Sequence, residues 1–336
     1  MKILKILITI AISATIIGCS NNRFKIDTKE SDLKIKIERF DKDIFVLDTE
    51  NIAVGIPALQ AKYGEFFDLY GEYIIGIGSP DSVQFASNLK GFLTDPIIRE
   101  IYEESLRVFD DVSDIEKKLT VAFKYIEHYF PEKTIPNIYM HVSGFNQQII
   151  VAEDILSASI DNYLGSDYIL YQQLAELHGY QLIEMTPEKL PSDYIKGWLL
   201  SEFPYNSHSE VLLDNMLYRG KIMYLLETFM PSEKEAVLMG YTPEQLKWCY
   251  NNQKQMWTYM AENKHIFSTD RMVLAKYINE APFTAFFPPE SPGRTGIWLG
   301  WQIIRSYMKN NKDIGLRELM AETDYKKILE MSRYRP

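Results

Sequence analysis

The sequence has little cysteine and no excess of positive charge. Two cysteines in 336 residues cannot build the disulfide framework of a small secreted domain. Lysine and arginine total 36 against 46 aspartate and glutamate residues, so the formal net charge is −10. This acidic balance argues against a nucleic-acid partner, because neutralising phosphates requires a basic surface. The hydrophobic content of 46% is that of a folded globular protein rather than a disordered chain.

Common motifs of catalysis and metal binding are also missing. The sequence contains no HExxH or other H-x-x-x-H pair, no G-x-S-x-G, no P-loop, no G-x-G-x-x-G and no C-x-x-C. By motif the chain is therefore not an enzyme, and no metal or cofactor is expected. His128 is expected in solvent on a helix, and His141 as a partly buried structural residue on a strand. One catalytic alternative stays open: a zinc-dependent, peptidase-like hydrolase with ligands drawn from His141, His178 and His208 together with nearby carboxylates.

No apolar run near the N terminus is long enough to cross a membrane. The stretch from Ile6 to Ile17 covers about 18 Å as a helix, whereas the hydrocarbon core is about 30 Å thick. A basic start and the ending Gly18-Cys19 are typical of a processed targeting segment. The ending resembles the lipobox of bacterial lipoproteins, whose cysteine is acylated after the preceding residues are removed.

The lipobox resemblance predicts a signal peptide over residues 1–18, lipid attachment (palmitate and related chains) at Cys19 and a polar tether over residues 19–36. More than one acyl chain gives stable anchoring, so the membrane is the first expected partner. A generic signal peptide or a weak membrane anchor is the alternative. No Asp follows the cysteine, which by resemblance to lipoprotein sorting favours the outer membrane, with the periplasmic face favoured over the cell surface.

The remaining residues 37–336 are predicted to form a single globular domain, although two closely packed lobes would give the same pattern. Helix starts are indicated by a cap at Asp95-Pro96 and by capping boxes at Ser113–Glu116 and Thr242–Gln245. Residues 138–142 read as a strand, and residues 148–160 supply one or two more. The predicted class is α+β, helix-rich with a small central sheet.

The least generic segment runs from Ala281 to Met308, where prolines and glycines precede a helix rich in tryptophan. One interpretation is an aromatic and arginine surface for a partner, glycan or peptide, formed by Arg294, Trp298, Trp301, Gln302 and Arg305. The other, favoured for the tryptophans, is a buried helix whose Gly300 packs against another backbone. Cys249 is likewise expected in the core.

An ordered set of motifs resembles the gliding motility lipoprotein GldB family over nearly the whole chain. Those motifs are IERFD at 37–41, YFP at 129–131, SGFN at 143–146, YLGSDY at 163–168, GYT at 240–242, WC at 248–249, PFT at 282–284, PGR at 292–294, WLGWQI at 298–303 and SRY at 332–334. The resemblance implies a lipid-anchored protein of the cell envelope that is needed for surface gliding. Gliding of this kind occurs together with a dedicated secretion apparatus. Envelope proteins of that apparatus are then the expected partners, and the expected role is a non-catalytic scaffold or accessory binding factor.

That family is in turn distantly similar to predicted zinc-dependent proteases of zincin-like fold. The similarity would make residues 138–144 the edge strand of a cleft, residues 192–200 the counterpart of the HExxH helix and residues 211–226 the later ligand helix. Asp193, Lys196 and Arg219 then stand at degenerate metal-site positions. Zinc needs three protein ligands, and a cation beside it repels the metal. The resemblance thus implies a non-catalytic scaffold of that type, with a glycan- or peptidoglycan-binding lipoprotein as a further alternative.

Overall fold

The computed structural model describes residues 23–174, 177–207 and 209–336. The predicted signal peptide, Cys19 as the predicted lipid attachment site and the possible ligand His208 all lie outside the described residues. Within the described part, no helix combines the length and the apolar character needed to cross a membrane.

The described residues form a helix-rich α+β fold, which confirms the predicted class. The α-helices in chain order are α1 Phe40–Phe45, α2 Ile52–Tyr63, α3 Glu65–Leu69, α4 Phe85–Thr94, α5 Pro96–Val108, α6 Ser113–Tyr129, α7 Ile169–Gln173, α8 Gly179–Leu182, α9 Leu190–Glu202, α10 Leu212–Phe229, α11 Glu235–Met239, α12 Pro243–Glu262, α13 Arg271–Ile278, α14 Thr295–Asn310, α15 Leu316–Ala321 and α16 Tyr325–Ser332. A π-helical turn, Tyr70–Ile74, follows α3, and a 3₁₀ turn, Ile160–Tyr163, precedes α7.

Four short strands form one mixed sheet in the first half of the chain. They are β1 Ile37–Glu38, β2 Asn137–His141, β3 Ile149–Ala152 and β4 Ile155–Ser159, in the spatial order β1-β2-β4-β3. The pairs β1–β2 and β2–β4 are parallel, and β3–β4 is an antiparallel hairpin. The predicted strand and returning hairpin are therefore present. The assignment of residues 138–144 as an edge strand is wrong, because β2 is paired with β1 on one side and with β4 on the other, and the edge strands are β1 and β3.

Two of the three predicted helix caps form as expected. The Asp95 carboxylate accepts hydrogen bonds from the first amides of α5, and Thr242 with Gln245 makes a reciprocal capping box on α12. The box predicted at Ser113 is wrong. The Glu116 carboxylate instead accepts a hydrogen bond from the amide of Ile37 (3.1 Å), so it holds β1 in place rather than capping its own helix.

The segment from Arg23 to Lys36, predicted as part of a tether, lies against the body. The Arg23 guanidinium donates hydrogen bonds to the carbonyls of Lys312 and Ile314, both at 2.6 Å. Phe24 is buried with its ring edge against Tyr129. These contacts fix the chain end of the described segment close to the C-terminal helices.

Helices α10 and α14 cross at the centre of the molecule through two glycines. A Cβ atom added to Gly220 would lie 2.8 Å from the amide of Trp301, and one added to Gly300 would collide with the Met216 carbonyl. Because neither residue has a side chain, the two backbones touch. The expected close packing at Gly300 is confirmed. Helix α9 lies beside them, between α10 and strands β3 and β4.

Candidate functional site: a cavity with unpaired cations

A cavity of about 400 Å³ lies between α9, α10, α13 and the turn that precedes α14. We call it the cationic cavity. Its polar lining residues are Lys196, Arg219, Asn279, Glu280 and Arg294, and its apolar lining residues are Leu200, Ile222, Met223, Met239, Ile278 and Ile297. The volume falls at the lower end of the range for small-molecule sites. Two of the three residues predicted at degenerate metal-site positions, Lys196 and Arg219, thus lie in one cavity.

A second cavity of about 350 Å³ lies on the other side of Lys196, between α9 and the edge strand β3. Lys196, Leu200 and Glu280 line both cavities. This polar cavity is bordered mainly by amide and carboxylate side chains: Asn146, Gln148, Asn162, Gln181, Glu184 and Asp193. The third degenerate position, Asp193, therefore faces the polar cavity and not the cationic one.

Lys196 is a partly buried cation without a direct partner. It makes no hydrogen bond or ion pair with any residue that the structure describes. Burial lowers the pKa of its ammonium group to about 8, and the neighbouring charge of Lys189 acts in the same direction. Asp193 and Glu184 oppose the shift only in part. Lys196 therefore carries a positive charge near neutral pH that the fold does not neutralise.

Arg219 is the second unpaired cation of the cationic cavity. It forms no hydrogen bond or ion pair within the described residues, and its Nε atom is buried without a partner. A buried donor without a hydrogen bond costs roughly 1–3 kcal/mol. Arg219 comes from α10 and Lys196 from α9, so two helices each place one free positive charge in the same space.

Asp193 is held in place by Lys189 and Tyr163. The Lys189 ammonium lies 2.8 Å from the Asp193 carboxylate, and both side chains are largely buried. The Tyr163 hydroxyl donates a hydrogen bond to the same carboxylate at 3.2 Å. The carboxylate is thus already paired with a positive charge, which makes it a poor candidate for a metal ligand.

Arg294, the third cation of the cavity, is anchored by Glu184. Its Nη2 atom lies 2.5 Å from Glu184 Oε1 and its Nη1 atom 3.3 Å from Oε2, a bidentate pair. Arg294 itself adopts the left-handed conformation (φ 56°) just before α14. Gly293 precedes α14 and Gly296 lies in its first turn, so the left-handed residue at this helix start is the arginine, and the two glycines provide room for neighbouring backbone.

Two motifs that carry the family resemblance, GYT at 240–242 and PGR at 292–294, meet around this ion pair. The Gly240 carbonyl accepts a long hydrogen bond from Arg294 (3.4 Å), and the Tyr241 hydroxyl donates one to the carbonyl of Gly293 (2.6 Å). Gly240 has φ 70°, and a Cβ there would collide with Glu184. Segments from three distant parts of the chain therefore depend on one another at the edge of the cationic cavity.

The predicted aromatic surface is wrong for the two tryptophans. Trp298 and Trp301 are completely buried, and their indole nitrogens donate hydrogen bonds to Glu235 (3.3 Å) and Glu227 (2.9 Å). They belong to the core around α14, as the alternative interpretation required. Because a sugar stacks only on an accessible ring face, these two buried rings cannot form a glycan-binding surface.

Arg305 and Gln302 belong to the same interior cluster. The Arg305 guanidinium makes two hydrogen bonds to Glu227, at 2.9 and 2.7 Å, and lies 4.0 Å above the Trp301 ring centre. The side-chain oxygen of Gln302 accepts a hydrogen bond from Arg305 (3.1 Å). Of the five residues predicted to form a binding surface, only Arg294 lines a cavity described above.

Two histidines that the catalytic alternative requires have unrelated surroundings. His141 is fully buried, with Nδ1 2.6 Å from the Ser157 hydroxyl, and burial lowers the pKa of its ring to about 3. His178 is exposed at the start of α8. Among the described residues, no three His, Cys, Asp or Glu side chains come together in an arrangement that holds a metal ion. His128 is exposed and Cys249 buried, which confirms both predictions.

Sequence reasoning missed three charged residues of the site: Glu184, Lys189 and Glu280. The i,i+4 spacing of Lys189 and Asp193 at the start of a helix was a usable signal for their ion pair. Glu184 had no such signal, since its partner Arg294 is 110 residues away in the chain.

Comparison with known proteins gives one match. The model of a protein family described as "Gliding motility protein GldB" matches residues 21–336. No curated protein and no solved structure matches the chain significantly. The similarity to zincin-like proteases therefore stays a prediction from sequence.

Proposed function

Because the chain belongs to the GldB family of gliding motility proteins, we propose that it is an outer-membrane lipoprotein that serves the gliding and secretion machinery by binding rather than by catalysis. Lipid at Cys19 holds it at the envelope, and the cationic cavity is its binding site. The partners are envelope components of that machinery.

The observation that carries this proposal is the pair of unneutralised cations, Lys196 and Arg219, in one cavity. A metal site needs anionic or neutral donors, and two positive charges that line the same cavity would oppose the ion. A binding site for an anionic group needs the opposite, which is unpaired donors held in place by the fold. The charges of the cationic cavity therefore suit the binding of an anionic group.

Complementation tests the proposal. A strain without the gene receives the wild-type chain, the double variant Lys196→Glu/Arg219→Glu, Cys19→Ala, or Lys254→Glu as a control on the exposed face of α12. Wild type and Lys254→Glu are expected to restore the motility or envelope secretion lost on deletion. The double variant is expected to reach the membrane without restoring function, because its cavity repels an anion.

Full restoration by the double variant would contradict the role of the cavity, and full restoration by Cys19→Ala would contradict the role of the lipid. Metal analysis of the purified protein addresses the non-catalytic part of the proposal. Stoichiometric zinc that disappears when His141 or His208 is replaced would overturn that part.

A further inference from the structure

The cationic cavity has two halves with different chemistry. One half carries the free charges of Lys196 and Arg219, while Arg294 is already neutralised by Glu184. The other half is formed by buried aliphatic and thioether side chains, chiefly Met223, Met239 and Ile297. A site with this division suits a ligand that is anionic at one end and apolar at the other.

The charges of the polar half favour an anion of low charge. Two unpaired cations face the cavity, and Glu280 lies at its exposed border, where it repels a dianion more strongly than a monoanion. The whole chain has a formal charge of −10, so this positive spot is a local exception and not part of a basic surface. A single carboxylate matches the available donors.

The buried Nε of Arg219 is a second, independent sign of a ligand. This donor is buried and has no acceptor among the described residues. Buried donors are normally satisfied, and a ligand carboxylate accepts from a guanidinium and an ammonium at once. The Arg219 guanidinium therefore has donor capacity that no described residue uses.

We propose that the cationic cavity binds an organic carboxylate with an aliphatic body, its carboxylate held between Lys196 and Arg219. The hydrocarbon part lies against Met223, Met239 and Ile297. Two envelope molecules share this chemistry, a free fatty acid and a peptide that ends in an apolar residue. The inference rests on the proposed function only in using the same cavity.

Calorimetric titration of the purified full chain tests it with four probes: octanoate, the peptide acid acetyl-Leu-Leu, 1-octanol and inorganic phosphate. A carboxylate is expected to bind at least tenfold more tightly than 1-octanol, which has the same body without the charge. The tighter of octanoate and acetyl-Leu-Leu identifies the source of the ligand, and either result supports the proposal. Equal binding of octanol, tighter binding of phosphate, or no binding of either carboxylate overturns it.

Variants separate the cavity from the rest of the surface. Lys196→Met and Arg219→Met are each expected to weaken carboxylate binding at least tenfold, while Lys254→Met leaves it unchanged. Circular dichroism verifies that each variant is folded, and Arg219→Lys, which keeps the charge, is expected to retain part of the affinity. Unchanged binding in both Met variants overturns the inference. If carboxylates fail to bind while Lys196→Glu/Arg219→Glu still abolishes complementation, only the ligand class is wrong and the proposed function stands.

Discussion

Gly300 on α14 lies directly against the backbone carbonyl of Met216 on α10, with no space for a side chain between them. This contact sets the distance between α10, which carries Arg219, and α14, which begins directly after Arg294. A glycine inside a helix costs about 1 kcal/mol relative to alanine, and the close crossing is what offsets that cost. The geometry of the cationic cavity depends on it, because one of its walls belongs to each helix.

The Gly300–Met216 contact predicts a large effect of a single methyl group. Gly300→Ala is expected to lower the free energy of unfolding by about 2–4 kcal/mol, because α10 and α14 must separate to admit the Cβ. Gly91→Ala is the matched control, since a Cβ at that helical position meets nothing within 4 Å. It is expected to be neutral or slightly stabilising. Urea unfolding of both variants measures the difference, and equal effects would contradict the close crossing.

Lys196 predicts an unusual dependence of stability on pH. Its pKa is about 8 in the folded chain against 10.5 for an ordinary lysine, so between these values the unfolded chain holds more protons. Burying the charged ammonium group of Lys196 destabilises the folded chain, and this destabilisation is fully present below pH 8. It decreases as pH rises from 8 to 10.5, so the free energy of unfolding rises over that range.

Lys196→Met is accordingly expected to stabilise the protein by about 2 kcal/mol at pH 7, with the gain shrinking toward pH 10.5. Lys221 also has a pKa lowered to about 8 by burial, but it is present in both proteins and cancels in the difference. Denaturant unfolding at several pH values gives that difference. A variant less stable than wild type at pH 7, or a difference independent of pH, would show that Lys196 is not a buried charge.

The Arg294–Glu184 pair predicts strong coupling between two distant positions. Removing either partner leaves the other charge partly buried without compensation, so Arg294→Gln and Glu184→Gln are each expected to cost about 2–4 kcal/mol. The double variant is expected to cost less than the sum, with a coupling of about 1–3 kcal/mol. A double-mutant cycle measured by urea unfolding provides the test. Additive effects would indicate that the pair is not formed in solution.

The burial of His141 predicts that its imidazole ring stays neutral in mild acid. Burial lowers its pKa to about 3 from 6.5, so the unfolded chain takes up a proton below pH 6.5 that the folded chain does not. The contribution of His141 to the free energy of unfolding is therefore fully present above pH 6.5, and it falls as pH decreases toward 3. NMR of the imidazole signals should show no titration between pH 8 and 5. Protonation within that range would contradict the burial of the ring.

Cys249 and Cys19 together predict a thiol count that reports lipidation. Burial raises the pKa of the Cys249 thiol, which lowers its reactivity further. The mature protein is expected to show no reaction with Ellman's reagent when native and one thiol per chain when denatured. Two thiols after denaturation would mean that Cys19 is not acylated. Cys19→Ala should leave a precursor of higher mass that takes up no labelled fatty acid.

Local signals were enough for much of the fold. The caps at Asp95 and Thr242 and the strand at residues 138–142 were predictable, because each depends on residues within a few positions of one another. The capping box at Ser113 does not form, because the Ser113 amide donates a hydrogen bond to the Asp111 carboxylate (2.8 Å) and the Glu116 carboxylate accepts one from the amide of Ile37 in β1. A tertiary contact overrode a correct local pattern.

The sequence by itself determined the class of the fold, the burial of Cys249, the close packing at Gly300 and the family resemblance. Only the tertiary structure decided that β2 lies inside the sheet, that Trp298 and Trp301 are interior, and that Lys196 and Arg219 share a cavity without ion-pair partners among the described residues. The physical reason is that helix and strand periodicities act over a few residues. Neutralisation of a charge depends instead on whichever distant segment folds against it, as Glu184 does for Arg294 and as no described residue does for Arg219.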